Sequence, residues 1–377
     1  MQFQNRVILS LGSNIGNRQG NLEACIAYIH HHIATVVSVS AVYETPAWGF
    51  NGDDFYNCCI VVHTQKTAED LLAALLEAEN NAGRVRQEGS GYSSRTIDID
   101  IIAFNDEVFQ TDTLQVPHPR MQGRSFVLYP LKDVAPLWEH PVSGLTITQL
   151  IGASTDESPI NKVGSLALPL KKYSLSAMNY LAIEGNIGAG KTTLSGKIAE
   201  DFNAKLVLER FADNPFLPKF YKDQQRYAFS LEMAFLADRY HQLSDDLAQF
   251  DLFRDFIVAD YHIFKSLIFS KVTLNEDEYR LYRKLFDIIY KEMPKPDLYV
   301  YLYQNTERLL QHIKKRGRAY EQDIQPEYLE KINRGYLDYI KSQPGLNVLL
   351  IDVSNRDFVN DQGDYIWILD KIQEQLG

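Results

Sequence analysis

Apolar positions in the first half of the chain alternate between two spacings. Val7 to Leu11 is a short continuous run that predicts a buried strand, and Asn21 to His32 follows a helical period. Val36 to Tyr43 and Phe55 to His63 predict strands separated by a Pro/Gly loop. A second helix is bounded at both ends. Thr67 and Asp70 form a capping box, Leu71, Leu72, Leu75 and Leu76 an apolar stripe, and Gly83 allows a left-handed residue at its end. Beyond the Gly/Ser-rich segment Glu88 to Ser94, Thr96 to Phe104 predicts a further strand.

This order, βαββαβ, suits an α+β sandwich of ferredoxin-like type, with helices on an antiparallel sheet. From Gly152 to Met178 no period persists, and Gly, Ser and Pro recur, which predicts a linker. The second half then opens on a strand at Asn179 to Ile183. Helical stretches follow around Arg226 to Phe250 and Glu276 to Glu292, with later strands at Leu298 to Leu302 and Val348 to Asp352. Strands alternating with helices predict an α/β domain with a parallel doubly wound sheet. The expected division is therefore residues 1–151, a linker 152–178, and 179–377. The two halves show no internal repeat.

A length of 377 residues accommodates two such domains, and a composition 45% hydrophobic and 23% charged is ordinary for globular proteins. The net charge of -11 argues against a nucleic-acid or anionic-membrane partner. No apolar run reaches the ~20 residues of a spanning helix, and the N-terminus has no leader-like pattern, so the expected location is the cytoplasm. The charge divides unevenly: residues 1–160 carry -9 and the remainder -2, in keeping with two independent units. Cys25, Cys58 and Cys59 offer neither a disulfide framework nor zinc spacing, and read as reduced core residues.

Chemistry enters at Arg95-Thr96-Ile97-Asp98-Ile99-Asp100-Ile101-Ile102. On a strand the isoleucines face one way, and Asp98 and Asp100 the other, roughly 7 Å apart. Such a face is either a solvated acidic surface or a place where Mg²⁺ ions carry a polyphosphate. Arg84, Arg86 and Arg95 bracket the Gly/Ser loop, where guanidinium groups would meet phosphates. Glu79 falls beside the apolar stripe of its helix, either as a shielded tip or as a functional carboxylate. His118 is stiffened between Pro117 and Pro119.

With these segments stand LGSNIGNR (Leu11 to Arg18), YETPAWG (Tyr43 to Gly49), DFYNCC (Asp54 to Cys59), GRVR (Gly83 to Arg86) and VPHPRMQGRSFVLYPL (Val116 to Leu131). Together they resemble 6-hydroxymethyl-7,8-dihydropterin pyrophosphokinase, a folate-pathway family, over roughly residues 5–150. The resemblance implies that Asp98 and Asp100 bind two Mg²⁺ ions. It further implies that Arg84, Arg95 and His118 contact ATP phosphates, that Glu79 and Arg86 support the nucleotide site, and that Thr45, Asn57, Phe126 and Phe55 form the pterin pocket. The implied reaction moves a pyrophosphoryl group from ATP to the pterin hydroxymethyl oxygen and releases AMP. Many members have Trp-Gly-Pro before the aspartate strand. Here the residues are Tyr92-Ser93-Ser94, with Tyr92 as the available aromatic.

In the second half, Gly185-Asn186-Ile187-Gly188-Ala189-Gly190-Lys191-Thr192 follows a strand and opens a helix, as a P-loop requires. Backbone N–H groups, extending through Thr193, would cradle phosphate; Lys191 would reach the β/γ oxygens and Thr192 a Mg²⁺ ion. The phosphate acceptor is not fixed by this motif. ERFADNPFLPKFY (Glu209 to Tyr221), FSLEMAFLADRY (Phe229 to Tyr240), VADYHIFKSLIF (Val258 to Phe269) and KKRGRAYEQ (Lys314 to Gln322) resemble the deoxynucleoside kinases over about residues 179–370. By that resemblance Glu209 is the general base for the nucleoside 5′-hydroxyl, with Arg239 beside it. Tyr221 and Glu321 hold the sugar 3′-hydroxyl, Arg316 and Arg318 are lid arginines, and Asp260 joins Thr192 at the metal. Without the P-loop, Lys314 to Arg318 would read equally as a solvated basic helix end.

Two departures stand out. The acidic residue of an Asp/Glu-Arg-Ser motif is kept as Asp260, but Tyr261 replaces the arginine, so either another cation serves or turnover suffers. Glu232 stands where glutamine commonly meets the base. A carboxylate only accepts hydrogen bonds, which suits the N1–H and N2–H₂ donors of guanine, whereas an amide suits adenine or cytosine. The expectation is a bifunctional Mg·ATP-dependent enzyme, its kinase half favouring deoxyguanosine among purine deoxynucleosides and forming a homodimer through long helices. The alternatives are a deoxyadenosine or broad-specificity kinase, and a catalytically weak nucleotide-binding and dimerisation module.

Overall fold

The computed structural model describes residues 3–83, 93–210, 214–248, 253–291, 293–343 and 345–377. They group into two compact units, residues 1–173 with 360–366, and residues 174–359 with 367–377.

The first unit runs β1 (Asn5–Ser13), α1 (Arg18–His32), β2 (Thr35–Val39), β3 (Ala41–Thr45), β4 (Phe55–Thr64), α2 (Ala68–Asn81), β5 (Asp98–Phe104), β6 (Phe109–Gln110), β7 (Gln115–Val116), α3 (Ser125–Val134), α4 (Ile147–Ala153) and β8 (Asn161–Ser165). Its main sheet has the order β5-β1-β4-β3-β8, β2 also pairing with β4, and every pairing is antiparallel. Val7, Leu9 and Leu11 of β1 meet Leu22, Ile26 and Leu71 of α1 and α2, while Ile8 turns to the opposite face, into a core with Val127, Leu128 and Leu131 of α3. Helices on both faces explain why β1 is apolar at successive positions. Cys58 and Cys59 point into these two different cores as free thiols.

Two sequence expectations change. The strand predicted over Val36 to Tyr43 is divided, because the register on β4 shifts between Val36 and Ser38 and the buried Ser40 Oγ accepts the Cys59 N–H at 2.9 Å. Within 152–178, read as aperiodic, β8 pairs with β3 and two short 3-10 turns follow. An outer strand with one neighbour and mostly exposed residues needs no apolar alternation, so the spacing did not reveal it. At α2, Thr67 caps the helix by accepting the Asp70 N–H, and Gly83 adopts φ +83° just beyond it.

The second unit runs β9 (Tyr180–Gly185), α5 (Lys191–Asp201), β10 (Lys205–Val207), α6 (Leu217–Phe220), α7 (Gln224–Ala248), β11 (Ile257–Ala259), α8 (Phe264–Thr273), α9 (Glu276–Tyr290), β12 (Leu298–Tyr303), α10 (Thr306–Arg316), α11 (Pro326–Lys341) and β13 (Val348–Asp352), and takes α12 (Gln362–Leu376) from Trp367 onward, the start of that helix belonging to the first unit. Its sheet is parallel, in the order β10-β11-β9-β12-β13. β9 is central, so the turn after it opens where the strand order reverses, the usual ligand crevice of such sheets. Among the described residues no helix is long and apolar enough to cross a membrane.

Candidate active sites

In the first unit Gly12 of β1 lies opposite Asn57 on one side and Asp98 on the other, and the strand ends border a cavity of about 500 Å³. Thr45, Phe55, Asn57, Glu79, Arg95, Asp98, Asp100 and Phe126 all line it. Ile99 and Ile101 are buried in the helix-side core, leaving Asp98 and Asp100 toward the cavity. Arg95 Nη1 sits 2.7 Å from Asp98 Oδ2, and Arg124 Nη1 3.8 Å from Asp100 Oδ2. Burial and the Asp98 charge push Asp100 up to about 6. Glu79 is 1% exposed, and its Oε1 accepts the Ile99 N–H at 2.8 Å, so it is a built part of the cavity wall.

At the other side Asn57 Nδ2 donates to Thr45 Oγ1 at 2.9 Å. Phe55 meets Phe50 edge-on at 6.2 Å between centroids, and Phe126 lies 6.2 Å from Trp48, which makes two aromatic walls around one polar pair. His118 does not line this cavity. Its backbone N–H donates to Ile102 O, and its Nδ1 accepts the Arg120 N–H at 3.2 Å. Burial, reinforced by Arg124 and Arg120, lowers its pKa to about 4, so near neutral pH the ring offers Nε2–H as a donor without charge. Arg84, Arg86 and Tyr92 lie outside the described residues.

Sequence reasoning passed over Trp48, Phe50, Arg120 and Arg124, which also line the cavity, and the clamp made by Asn14. Trp48, Arg120 and Arg124 fall inside the motifs given above; an arginine such as Arg124, 5% exposed with its guanidinium 5.4 Å over Phe126, shows its role only once folded. Asn14 Nδ2 donates to Asp53 O and Ser94 Oγ, and its Oδ1 accepts the Arg95 N–H at 2.7 Å, which fixes the stem that carries Arg95.

In the second unit the turn after β9 depends on glycines. Gly190 has φ +88°, and a Cβ there would lie 2.5 Å from Phe358 Cζ; Gly188 has φ +84°, and a Cβ there would lie 3.0 Å from Leu309 O. Lys191 Nζ donates to Asn186 O at 2.9 Å, and burial together with the Lys265 charge brings Lys191 down to about 8. Behind the turn the fully buried Glu184 accepts from Tyr336 OH at 2.9 Å and from the His262 N–H at 2.8 Å. Asn186 directs its side chain to Leu329 O and Asn333, so its amide braces α11.

Ile187, Gly188, Lys191, Thr192, Glu209, Tyr221, Glu232, Arg239, Asp260, Arg316, Arg318 and Glu321 line a second cavity of about 110 Å³, whereas Gly185, Asn186, Ala189, Gly190 and Thr193 do not. Glu209 Oε1 receives Arg239 Nε and Nη2 at 2.8 and 2.7 Å, and its Oε2 receives Lys265 Nζ at 2.5 Å. Burial alone would raise Glu209, but Lys265 and Arg239 outweigh it and hold the carboxyl well below the usual range. Glu232 is 2% exposed. Its Oε1 accepts from Thr273 Oγ1 at 2.9 Å, while its Oε2 is buried without a partner, and burial raises the group to about 7. The basic end of α10 is not simply solvated: Arg316 and Arg318 both ion-pair with Glu321, which is thereby tied to the arginines in addition to facing the cavity.

Oxygen donors at both cavities fit a hard divalent cation. Asp98 and Asp100 supply two carboxylates, the second raised toward neutrality by burial and by its neighbour. Thr192 Oγ1 donates to Asp260 Oδ2 at 2.5 Å, so a hydroxyl and a carboxylate meet beside Lys191. No group of three or more His, Cys, Asp or Glu suited to a metal occurs among the described residues.

The chain matches two family profiles: 7,8-dihydro-6-hydroxymethylpterin-pyrophosphokinase over residues 8–136 and deoxynucleoside kinase over residues 181–376. It is 38% identical to a deoxyguanosine kinase of Bacillus subtilis, over 52% of this chain and 97% of that protein. It is 29% identical to a deoxyadenosine/deoxycytidine kinase of the same organism, over 54% and 95%. The first half is 38% identical to a 2-amino-4-hydroxy-6-hydroxymethyldihydropteridine pyrophosphokinase of Synechocystis, over 38% of this chain and 73% of that protein.

Proposed function

The chain belongs to both the deoxynucleoside kinase and the hydroxymethylpterin-pyrophosphokinase families, and from that premise we propose one bifunctional ATP-dependent enzyme with two independent sites. The first unit, whose strand order supports a ferredoxin-like reading, transfers pyrophosphate from ATP to 6-hydroxymethyl-7,8-dihydropterin and releases AMP. The second transfers the γ-phosphoryl group of ATP to the 5′-hydroxyl of a purine deoxynucleoside, deoxyguanosine favoured, and releases ADP.

The observation that carries the first reading is the pairing of the Asp98–Asp100 face with the Thr45–Asn57 pair between aromatic walls in one cavity. The flat pterin lies between the rings with its polar edge on Asn57 and Thr45, and Arg95 and Arg124 hold phosphate oxygens at the carboxylate end. Catalysis is chiefly positioning and charge compensation. Two Mg²⁺ ions held by Asp98 and Asp100, and at least one held by Thr192 and Asp260, would supply neutralisation of phosphate charge.

For the kinase site the carrying observation is the unpartnered Glu232 Oε2. An acceptor buried with nothing to accept from is costly, and a guanine N1–H or N2–H₂ satisfies it. Glu209 takes the hydroxyl proton, Arg239 fixes its orientation, and Arg316 and Arg318 exchange Glu321 for the transferring phosphate. A broader purine preference is the second reading. It is favoured by the raised pKa of Glu232, since the protonated acid also donates. Leu281 and Ile288, one face of α9 and 51% and 67% exposed, support a homodimer through the kinase helices.

Product analysis tests the whole reading: the purified protein with ATP and hydroxymethyl-dihydropterin should form AMP, and with each deoxynucleoside ADP. Absence of either product removes that half of the proposal.

A further inference from the structure

Tyr261, which stands where related kinases carry an arginine, is fully buried and does not line the kinase cavity, yet the cavity has an additional cation. Lys265 lies in the first turn of α8 with its side chain 10% exposed and Nζ 2.5 Å from Glu209 Oε2. Its backbone is anchored toward the phosphate-binding turn: the Lys265 N–H donates to His262 O, and the His262 N–H donates to Glu184, the residue before Gly185.

The division of contacts on Glu209 is informative. Arg239 occupies Oε1 with two nitrogens and is itself held by Ser266 Oγ at 2.7 Å, so the carboxylate is already oriented without Lys265. Lys265 sits on the other oxygen. A carboxylate oxygen accepts two hydrogen bonds, so Oε2 can receive Lys265 and a substrate hydroxyl together. Two donors on one oxygen lie about 4–5 Å apart, which brings the ammonium within reach of the oxygens on a phosphorus bonding to that hydroxyl. Lys191 lines the same cavity, and the two like charges repel until an anionic group separates them.

Building on the kinase reading above, we propose that Lys265 is a catalytic residue that donates from Nζ to a non-bridging oxygen of the phosphoryl group in transit. The bond between the 5′-oxygen and the γ-phosphorus forms while that between the γ-phosphorus and the β–γ bridging oxygen breaks. ADP leaves, the hydroxyl proton passes to Glu209 Oε2, and Lys265 keeps its proton throughout.

The test compares K265M and K265R with the wild-type full chain by steady-state ADP formation and by equilibrium binding of deoxyguanosine. K265M should lower kcat about a hundredfold, as loss of one donor to developing charge does, with KM and deoxyguanosine binding within a few-fold. K265R should recover most of kcat, and AMP formation by the same chain should be unchanged in both. The inference is overturned if K265M retains kcat, if it loses deoxyguanosine binding together with turnover, or if K265R is no better than K265M. A wild-type protein that makes no ADP with any deoxynucleoside would instead remove the kinase reading itself.

Discussion

The Glu79 carboxylate accepts the backbone N–H of Ile99 at 2.8 Å, and Ile99 is the one residue between Asp98 and Asp100. Helix α2 thus holds the segment that presents both aspartates. Glu79→Ala should leave that buried N–H unpaired, costing about 1–3 kcal/mol, whereas Glu79→Gln keeps an acceptor oxygen. The melting transition of the first unit should fall for alanine and be largely kept for glutamine, with AMP formation following the same order. Equal melting of the two variants would contradict the role.

Asp98→Asn should reduce AMP formation at least a hundredfold and leave ADP formation intact, while Lys191→Ala should do the reverse. The residues line separate cavities, and the described residues around each cavity all belong to one unit. Loss of both products in either variant would show that the sites depend on one another.

Glu232 gives the kinase a pH dependence whose sign follows from burial. Its folded pKa of about 7 lies above the ordinary glutamate value, so between about pH 4.3 and 7 the folded chain binds the extra proton and stability declines as pH rises. Ionisation also removes the donor, so preference for deoxyguanosine over deoxyadenosine, as a ratio of kcat/KM, should grow from about pH 6 to about pH 8. Glu232→Gln should flatten both trends and lower the ratio. An unchanged ratio in the glutamine variant would sink the carboxylate argument.

Gly190→Ala should abolish ADP formation. The left-handed backbone costs an L-residue about 1–2 kcal/mol, and the new methyl would lie 2.5 Å from Phe358 Cζ, so the turn before α5 must shift. Measured ATP affinity of the kinase site should fall with turnover, while AMP formation persists.

What the sequence revealed followed chain distance. Asp98 and Asp100 are two residues apart on a strand, and Gly185 to Thr192 are continuous in the chain from the end of β9 to the start of α5, so spacing alone carried their geometry. Glu209 and Lys265 meet only because parallel pairing brings β10 beside β11 and α8 starts shortly after β11. No period links positions so far apart. Lys265 therefore went unnoticed although it lies within a quoted motif, and the missing arginine at Tyr261 was the only hint that a cation had to come from elsewhere. Thr273 was hidden in the same way: it faces Glu232 across two helices. Strand β2 ended early for a local reason, the Ser40 hydroxyl taking a hydrogen bond that a continuing strand would have made with its backbone.

Strand β8 has a consequence for self-association. It covers β3 from Ala41 to Glu44, and it is short and mostly polar, with Lys162 on it, so the sheet ends on a strand poorly suited to recruiting another. A fragment ending at residue 151 would leave β3 bare, a row of free N–H and C=O groups open to a second copy. One carried through Tyr173 would keep its own cover, so the five residues that read as spacer close the edge of β3 that a shorter fragment would expose.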